Sequence, residues 1–286
     1  MLNVLAEGLL IGGVYGLVAL GFVLVFKSSQ VMNMAYGWMI AILCYILYQF
    51  MVAWGIPSVP AVLLLMVAGA AMGILVERLA VRPLMGQSFL AIMMMTLMLG
   101  TVIKGIIVLL WPGRSWSIPF RPQGLWSVGS IKVMPDAAIA FFVALAVFLL
   151  LVLLFRYTKL GLSMRVVAAD HEVAQSLGIR VNRIFSLSWA TSGAFAAICG
   201  ILLGMVFGVT ISLGDTALGV GMPILLVGGM SSIPGALVGG LLIGASESLG
   251  SYWAGALRDI VPWIFMLVIL LIRPQGLFGQ KRIERI

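Results

Sequence analysis

The chain has 286 residues, of which 63% are hydrophobic and 9% are charged. A soluble domain is nearer to half apolar and a quarter charged, so this composition excludes an ordinary soluble protein. The formal net charge of +8 does not indicate nucleic-acid binding, because the basic residues collect in short segments between apolar runs, as membrane orientation requires.

Apolar runs of about 18–22 residues recur along the chain, which is the length that a helix needs to cross a bilayer. We therefore predict an all-α polytopic membrane protein with about eight to nine transmembrane or partly spanning helices. The first is expected to be a retained span, since no basic n-region precedes it and no small-residue cleavage site follows a short core. The seventh is short enough for a half-helix or part of a re-entrant pair. The predicted helices cover residues 4–26, 36–54, 59–77, 89–110, 137–155, 184–208, 218–230, 234–250 and 258–272.

Small residues recur at every fourth position in the first span and again in the sixth, a pattern that lets membrane helices approach closely. Polar breaks follow both, over 27–37 and 210–219. The pattern predicts one membrane domain over 1–286, made of inverted halves 1–155 and 184–286 that are joined by a loop over 156–183. The packing positions are Gly8, Gly12 and Gly16 in the first span, then Ser192, Ala196, Gly200, Gly204 and Gly208 in the sixth.

Basic residues predict the orientation of these spans, because cytoplasmic loops carry an excess of lysine and arginine. The loops that carry most of the lysine and arginine are therefore expected to be cytoplasmic, which puts the N-terminus outside and the C-terminus inside. Twelve basic residues fall on this side, namely Lys27, Arg78, Arg82, Arg156, Lys159, Arg165, Arg180, Arg183, Arg273, Lys281, Arg282 and Arg285. The opposite loops carry four, namely Arg114, Arg121, Lys132 and Arg258.

One stretch in the middle of the chain, "GLSMRVVAADHEVAQSLGIRVNRI" (161–184), is polar. Each of its charged side chains would cost about 2.5–3.5 kcal/mol at the bilayer centre, so it lies in water or against another protein. We name residues 163–178 the polar segment. It is expected to be a short helix that Asp170 divides by capping a second helix over 171–177, with Gly178 as the left-handed C-cap. On this element Ala174 and Leu177 are expected to share one side.

No catalytic, nucleotide or metal motif is present in the sequence. The stretch "GFVLVFKS" (21–28) has Phe26 where a phosphate-binding loop requires glycine. Cys44 and Cys199 lie in apolar runs without metal or disulfide spacing, and His171 is the single histidine. The sequence thus predicts a protein that is not an enzyme and holds no cofactor or metal of its own.

Several polar positions near the spans leave alternatives open. Lys104 either extends to the interface or pairs with Glu7 or Glu247. Asp215 either caps a half-helix from residue 216 or lies in solvent. The outer loop 111–136 either receives a solute-binding protein or is an interfacial loop held by its aromatic residues.

Three stretches resemble the membrane subunits of branched-chain amino acid ABC importers and their urea-, amide- and aromatic-acid-importing relatives. They are residues 8–26 ("GLLIGGVYGLVALGFVLVF"), residues 161–204 and residues 226–244 ("LVGGMSSIPGALVGGLLIG"). The second stretch covers the polar segment and most of the sixth span. The short N-terminus is similar to that of the shorter, H-type permease of such systems.

The resemblance implies that the polar segment docks on an ATPase subunit. The implied coupling residues are Arg165, Ala169, Asp170, His171, Glu172, Ala174, Leu177 and Gly178. It further implies partners: two ABC ATPase subunits that use ATP and magnesium, a second permease that is related or identical, and an extracytoplasmic solute-binding protein. The expected location is the inner or plasma membrane of a bacterium or archaeon. The implied function is solute import by alternating access, and the alternative is a self-sufficient secondary transporter or channel.

The family pattern after the first span commonly reads N-F-A-H-G-E, and this chain departs from it. Asn33, Ala35 and Gly37 fit, whereas Tyr36 and Trp38 replace polar or acidic residues. This departure favours an apolar or aromatic solute, unless the two aromatic side chains are interfacial anchors. The candidate residues of the translocation path are Asn33, Tyr36, Trp38, Asp215 and Glu247.

Overall fold

The computed structural model describes residues 1–113, 115–118, 124, 126–128, 131–255 and 260–279, without the side chains of residues 128, 131, 160, 169, 171, 172 and 254. Within these ranges seven helices are long and apolar enough to cross a membrane, and two further apolar helices are shorter. The predicted all-α polytopic class is confirmed.

Eleven α-helices lie in the described ranges. They are α1 (Leu2–Ser29), α2 (Tyr36–Tyr48), α3 (Ser58–Val76), α4 (Phe89–Leu110), α5 (Pro135–Tyr157), α6 (Lys159–Ala169), α7 (His171–Ser176), α8 (Val181–Phe207), α9 (Leu213–Gly228), α10 (Ile233–Ala254) and α11 (Val261–Ile272). Two of them continue in other helical forms: α2 through a π-helical stretch (Gln49–Ala53), and α3 through a π-helical stretch (Glu77–Val81) and a 3₁₀ turn (Arg82–Leu84). Two short antiparallel strands, β1 (Trp126–Val128) and β2 (Ile131–Val133), form a hairpin.

All nine predicted spans correspond to helices, with shifts at their ends. The largest shift is at α9, which begins at Leu213 and not at residue 218. The helical repeat is already established there, since the Ser212 carbonyl accepts a hydrogen bond from the Thr216 N–H at 2.9 Å. Polar residues near a break are therefore a poor guide to where the helix starts.

The helices α1 and α10 touch through their backbones. A Cβ atom at Gly12 would lie 2.6 Å from the carbonyl oxygen of Gly240, and one at Gly8 would lie 2.8 Å from that of Gly244. Gly16 continues the row against Ala236. The three ladder positions of the first span thus face a small-residue stripe on α10 that runs antiparallel to them.

A second close pair joins α3 to α8. Gly69 lies against the backbone of Gly193, and Gly73 lies against that of Trp189. The sixth-span ladder faces a different neighbour, since Gly200 contacts the Ile40 carbonyl and Gly204 contacts the Cys44 sulfur, both on α2. Gly208 lies beyond the ladder, at the C-cap of α8.

The pattern of helix contacts is largely preserved when α1 is exchanged with α8, α2 with α9, α3 with α10 and α4 with α11. Under this exchange the α1–α10 pair becomes α8–α3, the α1–α9 contact becomes α8–α2, and the α2–α4 contact becomes α9–α11. Such exchange is what two repeats around a common axis produce.

The two halves also run in opposite directions. The ends of α1 and α5 meet the starts of α8 and α10 around two shared features, a cavity beside Lys27 and a small core around Met164. The N-terminal ends of α1 and α8 therefore lie at opposite ends of the bundle. We name the end that carries these two features the basic end, because Lys27, Arg156 and Arg165 lie there. Which membrane face it occupies stays a prediction.

Replacing Gly12 with leucine tests the α1–α10 contact. The added side chain meets backbone and not a movable side chain. We therefore expect the free energy of unfolding to fall by about 1–3 kcal/mol or more and the Tm in detergent to be lower. Gly105→Leu on α4 is the matched control, because a Cβ atom there has no neighbour within 4 Å. Equal Tm values for the two variants would contradict the close contact.

Candidate functional site

The starts of α2 and α9 meet inside the bundle. We name residues 32–38 and 213–215 the central junction. Gly37 lies against the carbonyl oxygen of Gly214, so the two helix starts touch through backbone. The chain before α2 is held at this depth by α4, where the Thr96 hydroxyl accepts a hydrogen bond from the Met34 N–H at 3.1 Å. Two helices that begin inside the protein match the broken helices around which transporters form a solute path.

Asn33 and Tyr36 are buried within the central junction. The Asn33 Oδ1 accepts a hydrogen bond from the Ala35 N–H at 3.1 Å, which fixes the turn into α2. The Tyr36 hydroxyl lies against Gly21, and its ring packs edge-on to Phe22 with centroids 4.8 Å apart. Tyr36 is thus not an interfacial anchor, since it is 0% exposed. Both side chains therefore pack inside the protein and stabilise the junction.

Trp38 of the first half packs against α9 of the second half, beside an ion pair between Lys104 and Asp215. Its indole packs on Gly214, and the Lys104 ammonium lies 4.6 Å from the ring centroid, a cation–π distance. The same ammonium lies 3.3 Å from Asp215 Oδ2. Trp38 is only 6% exposed, so the interfacial-anchor interpretation is wrong for it too.

For Lys104 the predicted pairing has the wrong partner, whereas for Asp215 the solvent alternative is confirmed, since 60% of its side chain is accessible. Lys104 pairs with Asp215 and not with the predicted Glu7 or Glu247. Asp215 lies in the first turn of α9, where Ser212 holds the N-cap position, so Asp215 is not the cap. The positive end of the helix dipole and the Lys104 ammonium both favour a carboxylate at this place.

A cavity of about 320 Å³ adjoins the central junction. It brings together Asp215 from α9 and Glu247 from α10, which the sequence had placed on the same path. The hydroxyls of Ser212 and Thr216 and the ring of Trp263 complete its polar and aromatic lining. Carboxylates and hydroxyls in one small cavity accept hydrogen bonds from an amine or amide group, and the indole packs against an apolar one.

The polar segment contains α7 and most of α6, and these helices share a small core with the start of α8. Met164, Val167 and Ala174 pack with Val181, Ile184 and Phe185. Ala174 is fully buried there, whereas Leu177 is 67% exposed. The predicted shared side is wrong because only Ala174 reaches this core, whereas Leu177, one turn later at the end of α7, lies outside it. Ala174 supports the segment from within and does not face outward.

The predicted caps of the polar segment are confirmed. Asp170 Oδ1 accepts a hydrogen bond from the Val173 N–H at 3.1 Å, and Gly178 follows α7 with φ of 77°. Of the other implied coupling residues, Arg165 is exposed on α6. The side chains of Ala169, His171 and Glu172 lie outside the described part of the structure, although their backbones belong to α6 and α7.

A buried carboxylate ties the first half to the start of α8. Glu77 is 0% exposed, and Arg82 donates to it from Nε at 2.9 Å and from Nη2 at 3.1 Å. The Ser186 hydroxyl donates to the same carboxylate at 2.9 Å. Because Ser186 lies five residues after the start of α8, this cluster links α3 with the helix that carries the core of the polar segment.

Sequence reasoning missed the roles of these three residues and the hydrogen bonds of two further hydroxyls, those of Thr96 and of Ser192, which it had named only as a packing position. Arg82 was read only as a loop charge and Glu77 only as the end of a span. The Ser192 hydroxyl donates to the Gly21 carbonyl at 2.9 Å and so joins α8 to α1. The one available signal was a lone hydroxyl within an apolar run, as in "MMMTLML" around Thr96, since such groups bond across helices in membranes.

Comparison with known proteins gives a match along most of the chain. The family described as "Branched-chain amino acid transport system / permease component" matches residues 4–272. The high-affinity branched-chain amino acid transport system permease protein LivH of Escherichia coli K12 is 28% identical over 295 residues, covering 98% of this chain and 96% of LivH. BraD of Pseudomonas aeruginosa, which carries the same description, is 29% identical over 300 residues, covering 100% of this chain and 98% of BraD.

A further relative and one solved structure agree with this match. The probable branched-chain amino acid transport permease protein LivH of Methanocaldococcus jannaschii is 29% identical, covering 94% of this chain and 90% of that protein. A chain of PsaBC from Streptococcus pneumoniae, solved in complex with Fab, has a TM-score of 0.50 and 18% identity, covering 96% of this chain and 92% of that chain. The last comparison bears on the fold alone.

Replacing Arg82 with alanine tests the buried cluster. It leaves the Glu77 carboxylate inside the protein without its cation, so we expect destabilisation of about 3–5 kcal/mol, measured as a lower Tm in detergent. Arg78→Ala is the matched control, because Arg78 is exposed on the same π-helical stretch. A Tm as high for Arg82→Ala as for the control would contradict the role of the pair.

Proposed function

Because the chain belongs to the family of permease components of branched-chain amino acid transport systems, it is a membrane transport subunit, and we propose that it forms part of the solute path of an ATP-driven ABC importer. The solute is a small organic molecule: a branched-chain amino acid, or a related amide, urea or aromatic acid. The names of LivH and BraD support the first of these. We place the chain, as a multi-pass protein, in the inner or plasma membrane of a bacterium or archaeon.

The observation that carries the proposal is the polar segment at the basic end. Its two helices are fixed by a core of their own, yet they expose Leu162, Val173 and Leu177. A supported element with exposed apolar side chains is suited to a protein partner. We infer that two ABC ATPase subunits, which use ATP and magnesium, dock on this segment and on its counterpart in a second permease, identical or related.

The helix α8 connects the polar segment with the central junction. It begins in the core of the polar segment, meets Glu77 through Ser186, and packs against α3 and α2. Displacement of the polar segment therefore tilts α8 against the first half and changes the contact between the starts of α2 and α9. This is alternating access between two repeats, with an extracytoplasmic binding protein delivering the solute.

The described ion pairs favour this mechanism over a self-sufficient secondary transporter. Ion coupling needs paired charges that are buried near the bilayer centre. The Glu77–Arg82 pair lies toward the basic end, and the Lys104–Asp215 pair is exposed, with 60% of the Asp215 side chain accessible. Neither pair has the position that ion coupling requires.

The variant Gly178→Val tests docking of the polar segment. Valine at φ of 77° is strained by about 1–3 kcal/mol, so α7 loses its end and we expect nucleotide-dependent uptake in proteoliposomes to fall several-fold. Gly86→Val is the matched control, because Gly86 also has positive φ and no neighbour within 4 Å but lies before α4.

The same preparations decide between the two transport classes. A tag on the permease should retain ATPase subunits during purification of the unaltered complex, and less of them with Gly178→Val. Uptake that is normal in Gly178→Val, or uptake by the purified chain without any ATPase subunit, would contradict the proposal.

The variant Asp215→Asn tests the cavity beside the central junction. An exposed pair contributes only about 0–1 kcal/mol to stability, so the Tm should stay nearly unchanged while uptake falls, since the cavity loses a charged acceptor. Glu7→Gln removes a carboxylate at the start of α1 that does not line this cavity, and should preserve uptake. Equal uptake by both variants would remove Asp215 from the proposed path.

A further inference from the structure

A second cavity, of about 390 Å³, lies at the basic end between α1, α5, α6 and α10. Its polar lining consists of Lys27, Arg156 and Arg165 together with Ser231 and Ser232. We name it the basic cavity. It is separate from the cavity beside the central junction, and nothing in the transport mechanism above uses it.

The charges of the basic cavity lack a counter-ion among the described residues. Neither described salt bridge involves Lys27, Arg156 or Arg165. Like charges that face one small space repel each other, and an anion between them removes that repulsion. The lining therefore has the charge of an anion site.

The backbone of α10 adds to this positive field. Ser232 caps the helix by accepting a hydrogen bond from the Gly235 N–H at 3.0 Å, and 22 residues follow with aligned peptide dipoles. The positive end of a helix dipole attracts phosphate; here Pro234 has no N–H and the Gly235 N–H bonds to Ser232, so the dipole makes this contribution and not a row of free N–H groups. Serine hydroxyls at the same place supply further donors.

The remaining wall of the basic cavity is apolar and continues onto the outer face of the bundle. Val152 and Phe155 of α5 line the cavity, and Leu149, Leu153 and Leu154 of the same helix are exposed. In a membrane such side chains contact acyl chains. A ligand with a phosphate in the cavity can thus run its apolar part along α5.

We propose that the basic cavity binds the headgroup phosphate of an anionic phospholipid. Cationic pockets between membrane helices on the cytoplasmic side bind such headgroups. The lipid bridges the end of α1 and the start of α10, which belong to opposite halves, and it engages Arg165 of the polar segment. Arg165 then faces lipid, whereas docking of the partner uses the exposed apolar side chains of α6 and α7.

Lipid titration of the purified full-length chain in detergent tests this site. Phosphatidylglycerol should raise the Tm more than phosphatidylcholine does. In the variant Lys27→Gln/Arg156→Gln/Arg165→Gln the apparent Kd for phosphatidylglycerol should weaken about a hundredfold, given three basic contacts. The matched control Arg78→Gln/Arg180→Gln/Arg183→Gln removes as many charges from exposed positions toward the same end and should leave the Kd unchanged.

Native mass spectrometry of the three single variants is a second readout that does not depend on the triple variant folding. Each should retain less phosphatidylglycerol than the unaltered chain. Equal effects of the two lipids, or equal weakening in both triple variants, would overturn the proposal. A Tm increase from inorganic phosphate that phosphatidylglycerol does not exceed would likewise overturn it, by assigning the cavity to a soluble anion.

Discussion

Backbone contact between small residues is the constraint on which the rest of the bundle depends. Lipid offers no hydrophobic gain for bringing two helices together, so association relies on close packing and on hydrogen bonds across helices. The pairs α1–α10 and α3–α8 satisfy this with glycines on both partners, as at Gly12 and Gly240 and at Gly69 and Gly193. Each pair joins one helix of the first half to one of the second, so the halves interlock.

Interlocking makes the broken helices possible. A helix that begins inside a membrane leaves N–H groups that neither lipid nor water can satisfy. Here the protein satisfies them locally, since the Thr96 hydroxyl accepts a hydrogen bond from the Met34 N–H and the Asn33 side-chain oxygen accepts one from the Ala35 N–H. The starts of α2 and α9 can therefore meet at Gly37 and Gly214 without exposure to lipid. The central junction is thus a consequence of how closely the surrounding helices pack.

Patterns that depend on one helix or one turn were predictable from the sequence. The spans, the caps at Asp170 and Gly178, and the ladder at Gly8, Gly12 and Gly16 follow from local periodicity and turn chemistry. Contacts between distant positions were not, because periodicity gives the face of a helix and not its neighbour. The Lys104–Asp215 pair joins residues 111 apart, and the Arg82–Ser186 hydrogen bond joins residues 104 apart.

The hydrogen bond between Ser192 and the Gly21 carbonyl sets where α8 can pivot. The helix has 27 residues, a length of about 40 Å, and this bond holds it near its middle against α1. One end belongs to the core of the polar segment, and beyond the other end Val209 pairs with Trp116 of the loop at the far side. A rod held at its middle swings its two tips in opposite senses. Closing the gap at one membrane face would therefore widen it at the other, about the middle of α8, where the Ser192 hydroxyl and the close contacts at Gly193 and Gly200 hold the helix.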